Sequence, residues 1–156
     1  MSDLDAIYNF CKVSDTLGTS GQPEAEQFPA IKAAGYEMVI NLATGKGAKD
    51  VVEEPEIVAG LGLKYHNIPV EWGNPTLDDL EQFFTVMDAN KDKKLYVHCI
   101  ANYRVSAFTM LYRVIKLGVP LAEAKALKDS VWHPDDAVPV WDAFIEQALE
   151  KYGIKA

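Results

Sequence analysis

The sequence has few of the features that would crosslink the chain or anchor it in a membrane. Among its 156 residues only Cys11 and Cys99 are cysteines, too few for a disulfide framework in a chain long enough to bury a core. No apolar run approaches the 18 residues that a membrane-spanning helix needs. Internal repeats and low-complexity tracts are absent as well. These absences exclude a disulfide-rich fold and a repeat protein, and they predict one globular domain over residues 1–156.

Positive charge is also scarce. The chain carries 15 lysines and arginines against 23 aspartates and glutamates, a formal net charge of −8. A protein that reads a nucleic-acid backbone needs a basic face, and docking on an anionic membrane needs one too. We therefore expect neither a nucleic acid nor a membrane as partner. Any phosphate site must draw its positive potential from groups close to it.

Signals for export and for metal binding are lacking. The segment from Met1 to Asp5 has neither the basic nor the apolar region of a signal peptide, so a cytoplasmic location is expected, and a periplasmic one stays open if a leader has been removed. The three histidines, His66, His98 and His133, are scattered without ligand spacing. No metal and no other cofactor is predicted.

The apolar pattern alternates between short runs and amphipathic stretches. Alternating strands and helices imply crossover connections and a mostly parallel sheet. The predicted fold class is therefore α/β, with three layers and helices on both faces of the central sheet. Strands are predicted at residues 37–42, 63–68 and 94–98, a loop at 44–49, and helices at 23–34, 51–61, from a Thr76 cap to about 87, at about 104–118, at 120–131 and at 138–152.

The segment after the third predicted strand carries the strongest chemical signal. A turn from Cys99 to Arg104 joins the strand that ends at His98 to an amphipathic helix. Successive backbone N–H groups of such a turn form a concave anion site, and the start of the helix adds its own N–H groups. Arg104 supplies a planar, charged fork for two oxygens of a tetrahedral anion. The same potential favours the thiolate form of Cys99, which would then be a nucleophile.

Two further points bear on this loop. Asn102 occupies a place where a left-handed residue is often needed, and Asn tolerates that conformation. The alternative interpretation is a buried, inert Cys99 at the end of a strand, a common fate of free cysteine. The strand before the turn, the helix after it and the histidine in front of Cys99 favour the anion site.

The motif His98-Cys99-x-x-Asn102-x-Arg104 resembles the phosphate-binding loop of the cysteine-dependent tyrosine and dual-specificity phosphatases. Together with the upstream segments at 19–23, 39–42 and 68–71, it resembles the small bacterial phosphatase-like family DUF442, a branch of the dual-specificity fold. The resemblance implies hydrolysis of phosphomonoesters through a Cys99 phosphoenzyme. The substrate would be a phosphorylated small molecule or a phosphoprotein, and the phosphate-binding residues would be Ile100, Ala101, Asn102, Tyr103, Arg104, Val105 and Ser106.

The pattern departs from those phosphatases in one spacing. They have five residues between Cys and Arg, whereas this chain has four, which narrows the ring of N–H groups. Rhodanese-type sulfurtransferases resemble it in the shorter spacing, so sulfur transfer is an alternative function. A catalytically inactive domain that binds phosphate or sulfate is a second alternative. The order of the flanking segments favours the phosphatase branch.

The other catalytic positions are assigned by the resemblance alone. The general acid is expected near Ile68-Pro69, where Glu71 is the first candidate, and Asp135 could serve if its loop covers the site. The hydroxyl expected directly after the arginine is replaced by Val105, and Ser106 follows one position later. It could reach the thiolate or be an ordinary first-turn serine. His98 is expected to orient the loop through a hydrogen bond.

Overall fold

A five-stranded sheet forms the centre of the computed structural model, which describes residues 3–45, 51 and 53–154. Its order across the sheet is β1-β2-β5-β3-β4. The β1–β2 pair is antiparallel, whereas β2, β5, β3 and β4 run parallel to one another. The predicted mostly parallel α/β sheet is confirmed. The strands are β1 (Cys11–Ser14), β2 (Leu17–Ser20), β3 (Met38–Asn41), β4 (Lys64–Asn67) and β5 (Leu95–His98).

Helices cover both faces of this sheet, as predicted. Along the described chain they are α1 (Phe28–Ala33), α2 (Glu54–Gly60), α3 (Leu77–Ala89), α4 (Tyr103–Ile115), α5 (Leu121–Val131) and α6 (Pro139–Lys151). Short 3-10 turns occur at Asp3–Ala6, Ala25–Gln27 and Pro134–Asp136. None of the helices in the described ranges is long and apolar enough to span a bilayer.

Successive side chains along each strand point to opposite faces of the sheet, and this divides the core into two halves. Val39 and Tyr96 point to one face of the sheet and Ile40 and Val97 to the other, as the two-residue period of a strand requires. The first half-core packs against α1 and α2, and the second packs against α3, α4, α5 and α6. The first half-core includes Phe28, Ile31 and Val58, and the second includes Leu80, Phe83, Phe108, Ala124 and Trp141.

The register brings the ends of three parallel strands to one edge of the sheet. Ser20 of β2 and Asn41 of β3 both lie opposite His98 of β5. Ligands of open α/β sheets bind just beyond the carboxyl ends of such strands. Cys99 follows His98 directly and so enters that edge.

Most predicted elements occur, with boundary differences that have physical causes. Helix α2 begins at Glu54 rather than at 51, with Pro55 in its first turn, where its missing N–H costs nothing. The helix predicted at 23–34 opens as a 3-10 turn and ends before Gly35, whose φ of +94° is the expected left-handed cap. Thr76 caps α3 by accepting a hydrogen bond from the Asp79 N–H. Residues 46–49 of the predicted loop lie outside the described residues.

The hairpin of β1 and β2 is missing from the sequence-based prediction. β2 reads Leu-Gly-Thr-Ser and is buried at every position, yet only Leu17 is a large apolar residue. Gly18 is required there because a Cβ would overlap the Tyr36 ring. A buried strand made of small and polar residues has no apolar run to reveal it.

Candidate active site

The loop after β5 has the shape that the sequence predicts. It passes from Cys99 to Asn102, and α4 begins at Tyr103. Asn102 has φ +67°, so the predicted left-handed residue is confirmed. Its side-chain amide donates to the Asn9 carbonyl oxygen at 3.0 Å and to Thr19 Oγ1 at 3.1 Å. The turn is therefore fastened to the strand hairpin beside it.

Three consecutive carbonyl groups of the loop are held from outside. The Cys99 carbonyl oxygen lies 3.2 Å from His98 Nδ1, and the Ile100 carbonyl oxygen accepts from the Gln22 N–H at 2.9 Å. The Ala101 carbonyl oxygen accepts from Asn9 Nδ2 at 2.8 Å. In a trans peptide unit the N–H points opposite to the C=O. The N–H groups of Ile100, Ala101 and Asn102 therefore point to the inside of the turn.

These inward groups form a ring with the start of α4. Within the described residues, none of the backbone N–H groups from Ile100 to Val105 donates to another protein group. The first N–H groups of a helix have no partner inside the helix, and the positive end of the helix dipole lies among them. Unpaired donors gathered in one turn can hold an oxyanion, and we call residues 99–105 the anion loop.

Arg104 closes one side of the anion loop. Its side chain is buried, and Nη1 donates to the Val70 carbonyl oxygen at 2.9 Å. A guanidinium carries five N–H donors in a fixed fork, so this contact orients the group and leaves further donors for a ligand. It also ties the segment after β4 to the anion loop.

Cys99 lies at the floor of the anion loop with 1% of its surface exposed. Burial alone agrees with a nucleophile and with an inert packing residue. The outward-held carbonyl groups surround Cys99 with N–H groups that have no protein partner among the described residues, which packing alone does not require.

A buried pair of ionisable groups next to the anion loop is missing from the sequence-based prediction. Glu54, 1% exposed, places Oε2 at 2.6 Å from Nε2 of His98, which is fully buried. Its Oε1 accepts from Gln22 Nε2 at 2.8 Å. A glutamate followed by proline at the start of a helix has an ordinary explanation, so nothing in the sequence marks Glu54.

The Gly21-Gln22 segment fits closely against the anion loop. A Cβ on Gly21 would lie 2.5 Å from the Ile100 carbonyl oxygen and 2.7 Å from Tyr8 Cδ2. Glycine at this position lets the Gln22 N–H reach the Ile100 carbonyl oxygen. Gly21 and Gln22, which belong to the upstream segment 19–23 of the family resemblance, are thus needed for close packing against the anion loop. Asn9, a second residue that sequence reasoning missed, has φ +53° and holds Ala101.

Both candidate acids follow segments that contact the site. Glu71 comes directly after Val70, the partner of Arg104, and is exposed. Its neighbour Trp72 has its ring centroid 6.2 Å from that of Tyr103, and its carbonyl oxygen accepts from Trp141 Nε1 at 2.7 Å. Glu71 therefore lies between two residues whose carbonyl oxygens are bound, Val70 by Arg104 and Trp72 by Trp141.

Asp135 lies in the connection between α5 and α6. This connection forms a 3-10 turn, Pro134–Asp136, as expected of an interhelix turn. The Trp132 ring stacks on the Tyr103 ring at 4.7 Å, so the connection does return to the anion loop. The Asp135 carboxylate is 90% exposed and lies 3.4 Å from His133 Nδ1.

Ser106 is placed as an ordinary first-turn serine. Its hydroxyl donates to the Tyr103 carbonyl oxygen at 3.0 Å. Its side chain also lines a small cavity together with Cys11, Thr109 and Arg113. Within the described ranges, no group of three or more His, Cys, Asp and Glu side chains could hold a metal ion.

Comparison with known proteins agrees with this geometry. Residues 12–136 match the family described as "DSP-PTPase phosphatase fused to NAD+ Kinase". A crystal structure from Shewanella putrefaciens CN-32, described provisionally as a phosphatase (DUF442), is 35% identical, with a TM-score of 0.88 over 96% of this chain and 97% of that one. No curated protein matches the chain.

More distant structures share the fold. TpbA of P. aeruginosa is 17% identical, with a TM-score of 0.73 over 93% of this chain and 88% of its own. The catalytic core of the PP-IP phosphatase SIW14 of S. cerevisiae is 15% identical, with a TM-score of 0.74 over 94% of each chain. At these low sequence identities, the two structures are evidence for the fold alone. The family match and the Shewanella relative carry more: the chain belongs to the DUF442 family of phosphatase-like proteins, within the dual-specificity and tyrosine phosphatase superfamily.

Proposed function

We propose that this protein hydrolyses phosphomonoesters through a phosphoenzyme on Cys99. The observation that carries the proposal is the ring of unpaired N–H groups around that thiol, with the three preceding carbonyl groups held outward by His98, Gln22 and Asn9. Such donors stabilise negative charge on the equatorial oxygens of a transferring phosphoryl group.

The reaction takes two steps without a change in oxidation state. The Cys99 thiolate attacks phosphorus, the bond from phosphorus to the leaving oxygen breaks, and that oxygen takes a proton from a carboxylic acid. Water then attacks the thiophosphate, its proton goes to the carboxylate, and the phosphorus–sulfur bond breaks to return the thiolate and release inorganic phosphate. Arg104 and the amides of residues 100–105 hold the phosphoryl oxygens throughout.

Glu71 is our first candidate for the acid and Asp135 the second. Glu71 follows the residue that Arg104 binds, and Asp135 follows the tryptophan stacked on Tyr103. A general acid contributes about 10²–10⁴ in rate when the leaving group is poor. Glu71→Gln should therefore slow an alkyl phosphate far more than a nitrophenyl phosphate, with Asp78→Asn as the control. If Asp135→Asn, rather than Glu71→Gln, slows the alkyl phosphate far more than the nitrophenyl phosphate, Asp135 is the acid.

The first test is turnover of a small aryl phosphate by the wild type and by Cys99→Ser. We expect clear hydrolysis and its complete loss in the variant, with a phosphorylated Cys99 trapped by rapid acid quench. Turnover that survives Cys99→Ser would refute the mechanism.

The short loop favours a second candidate, sulfur transfer. In that case the Cys99 thiolate would attack the outer sulfur of thiosulfate and release sulfite, and the resulting persulfide would be detectable as one added sulfur by mass. Cyanide would then take that sulfur as thiocyanate and return the thiolate. Absence of the persulfide rejects this candidate. A non-hydrolytic oxyanion-binding domain would instead bind phosphate, lose binding in Arg104→Ala, and turn over no ester in a broad panel.

A further inference from the structure

Glu54 is a buried carboxylate with both oxygens engaged. Oε2 lies 2.6 Å from His98 Nε2, and Oε1 accepts from Gln22 Nε2 at 2.8 Å. The contacts join three separate elements: the first turn of α2, the end of β5 and the segment after β2. Ionisable groups are seldom fully buried unless their partners compensate the loss of water, so this arrangement needs an explanation beyond packing.

The hydrogen-bond partners of His98 fix where its proton lies. Nδ1 is 3.2 Å from the Cys99 carbonyl oxygen, and a carbonyl oxygen can only accept, so Nδ1 carries a hydrogen. Nε2 faces Glu54, which can accept from an imidazolium as a carboxylate or donate to a neutral ring as a carboxylic acid. Either arrangement keeps the hydrogen on Nδ1. A neutral ring that donates from Nε2 to the carboxylate would turn a bare Nδ1 toward the Cys99 carbonyl oxygen, so the observed contact excludes that arrangement. In both remaining arrangements the Glu54 contact at Nε2 fixes the direction of the ring, and without it the ring would be free to turn away from the carbonyl.

The Cys99 carbonyl is the first of the three that are held outward. The peptide unit that contains it also contains the Ile100 N–H. If this carbonyl rotates, the first donor of the anion loop leaves the ring. A partner on the far ring nitrogen that fixes the orientation of a histidine is a known way of positioning a functional group.

We infer that Glu54 is a positioning residue of the anion loop: by anchoring Nε2, it fixes the His98 ring so that the Nδ1–H holds the Cys99 carbonyl outward and the Ile100 N–H inward. Its effect on turnover rests on the proposed phosphatase function, whereas its effect on the loop does not. The experiments below therefore include measurements that need no turnover.

Two substitutions separate hydrogen bonding from charge. Glu54→Gln can still accept from Gln22 and donate to a neutral His98 Nε2, so it preserves every contact without the carboxylate. Glu54→Leu keeps similar bulk and removes both contacts. Glu56→Leu, an exposed position on the same helix, is the matched control.

The first readout is the rate at which iodoacetate, itself a small anion, alkylates Cys99. A misplaced donor at a reacting centre costs about 100-fold in rate, so Glu54→Leu should lose about 100-fold while Glu54→Gln recovers most of the wild-type rate. Equal rates in Glu54→Leu and the wild type would overturn the inference. So would a Glu54→Gln as slow as Glu54→Leu, because the charge of Glu54 rather than its anchoring of the His98 ring would then matter.

The second readout is the nitrogen-15 spectrum of His98, which reports where the ring hydrogen lies and how fast it exchanges with water. We expect a slowly exchanging hydrogen on Nδ1 in the wild type and in Glu54→Gln, and faster exchange of that hydrogen in Glu54→Leu, where the ring is free to turn. If Glu54→Leu does not fold, the first two spectra decide: a hydrogen on Nε2 with a bare Nδ1 in either would refute the inference. A wild type that hydrolyses no ester would refute the proposed function and leave both readouts valid.

Discussion

Replacing Gly21 by alanine tests how closely the anion loop depends on its neighbours. The added methyl carbon would lie 2.5 Å from the Ile100 carbonyl oxygen, whereas ordinary contacts begin at 3.4 Å. Tyr8 is 57% exposed and can swing away, but the backbone carbonyl can yield only if the loop moves by about 0.9 Å. Because a shift of about 1 Å at a reacting centre costs about 10²-fold, kcat/KM for an aryl phosphate should fall about 100-fold.

Stability should fall in this variant by a free energy similar to that of the lost activity, since 100-fold in rate is about 2.7 kcal/mol. An extra methyl in a packed site typically costs about 1–3 kcal/mol, which urea unfolding would measure. Gly60→Ala is the matched control, because a Cβ there meets nothing within 4 Å and the helix favours alanine. If Gly21→Ala keeps wild-type kcat/KM while a crystal structure shows the Ile100 carbonyl unmoved, the reasoning is refuted.

Three further changes probe other parts of the site. Iodoacetate at neutral pH should modify Cys99 and spare Cys11. Burial raises the pKa of the Cys11 thiol, so this thiol stays protonated until the pH exceeds the usual range of a cysteine. A mass shift that maps first to Cys11 would contradict this prediction. Asn102→Ala should be less stable than Asn102→Gly by about 1 kcal/mol, since only glycine adopts φ +67° without cost. Equal urea midpoints for the two variants would contradict this prediction. Trp141→Phe removes the indole N–H that donates to the Trp72 carbonyl oxygen. The free energy of unfolding should fall by about 1–3 kcal/mol, and it should stay unchanged only if water replaces the indole N–H.

Much of the fold follows from local signals in the sequence. The strands β3 and β5 appear as short apolar runs, and the mostly polar β4 lies between the apolar Leu63 and Ile68. Thr76 and Gly35 mark helix ends through capping chemistry. The β1–β2 hairpin has no such signal, because β2 is buried by its neighbours rather than by its own apolar side chains.

The candidate site likewise has a part that the sequence reveals and a part that it does not. The anion loop is contiguous in sequence, so its cysteine, arginine and left-handed asparagine can be recognised together. Asn9 and Gln22 contact it from distant positions, Asn9 from 92 residues away, and Glu54 reaches it through His98, 44 residues away in the chain. Each is an unremarkable polar residue by itself. Their roles depend on the crossovers that bring the ends of β2 and β5 side by side, which no local pattern encodes.

The central claim is that residues 99–105 bind an oxyanion above the Cys99 thiol, and a crystal structure with tungstate or phosphate tests it most directly. The account predicts the anion over the sulfur, within hydrogen-bond distance of the amides of residues 100–105 and of the Arg104 guanidinium. An empty loop at saturating oxyanion, or an anion bound elsewhere with the amides turned away from Cys99, would contradict it.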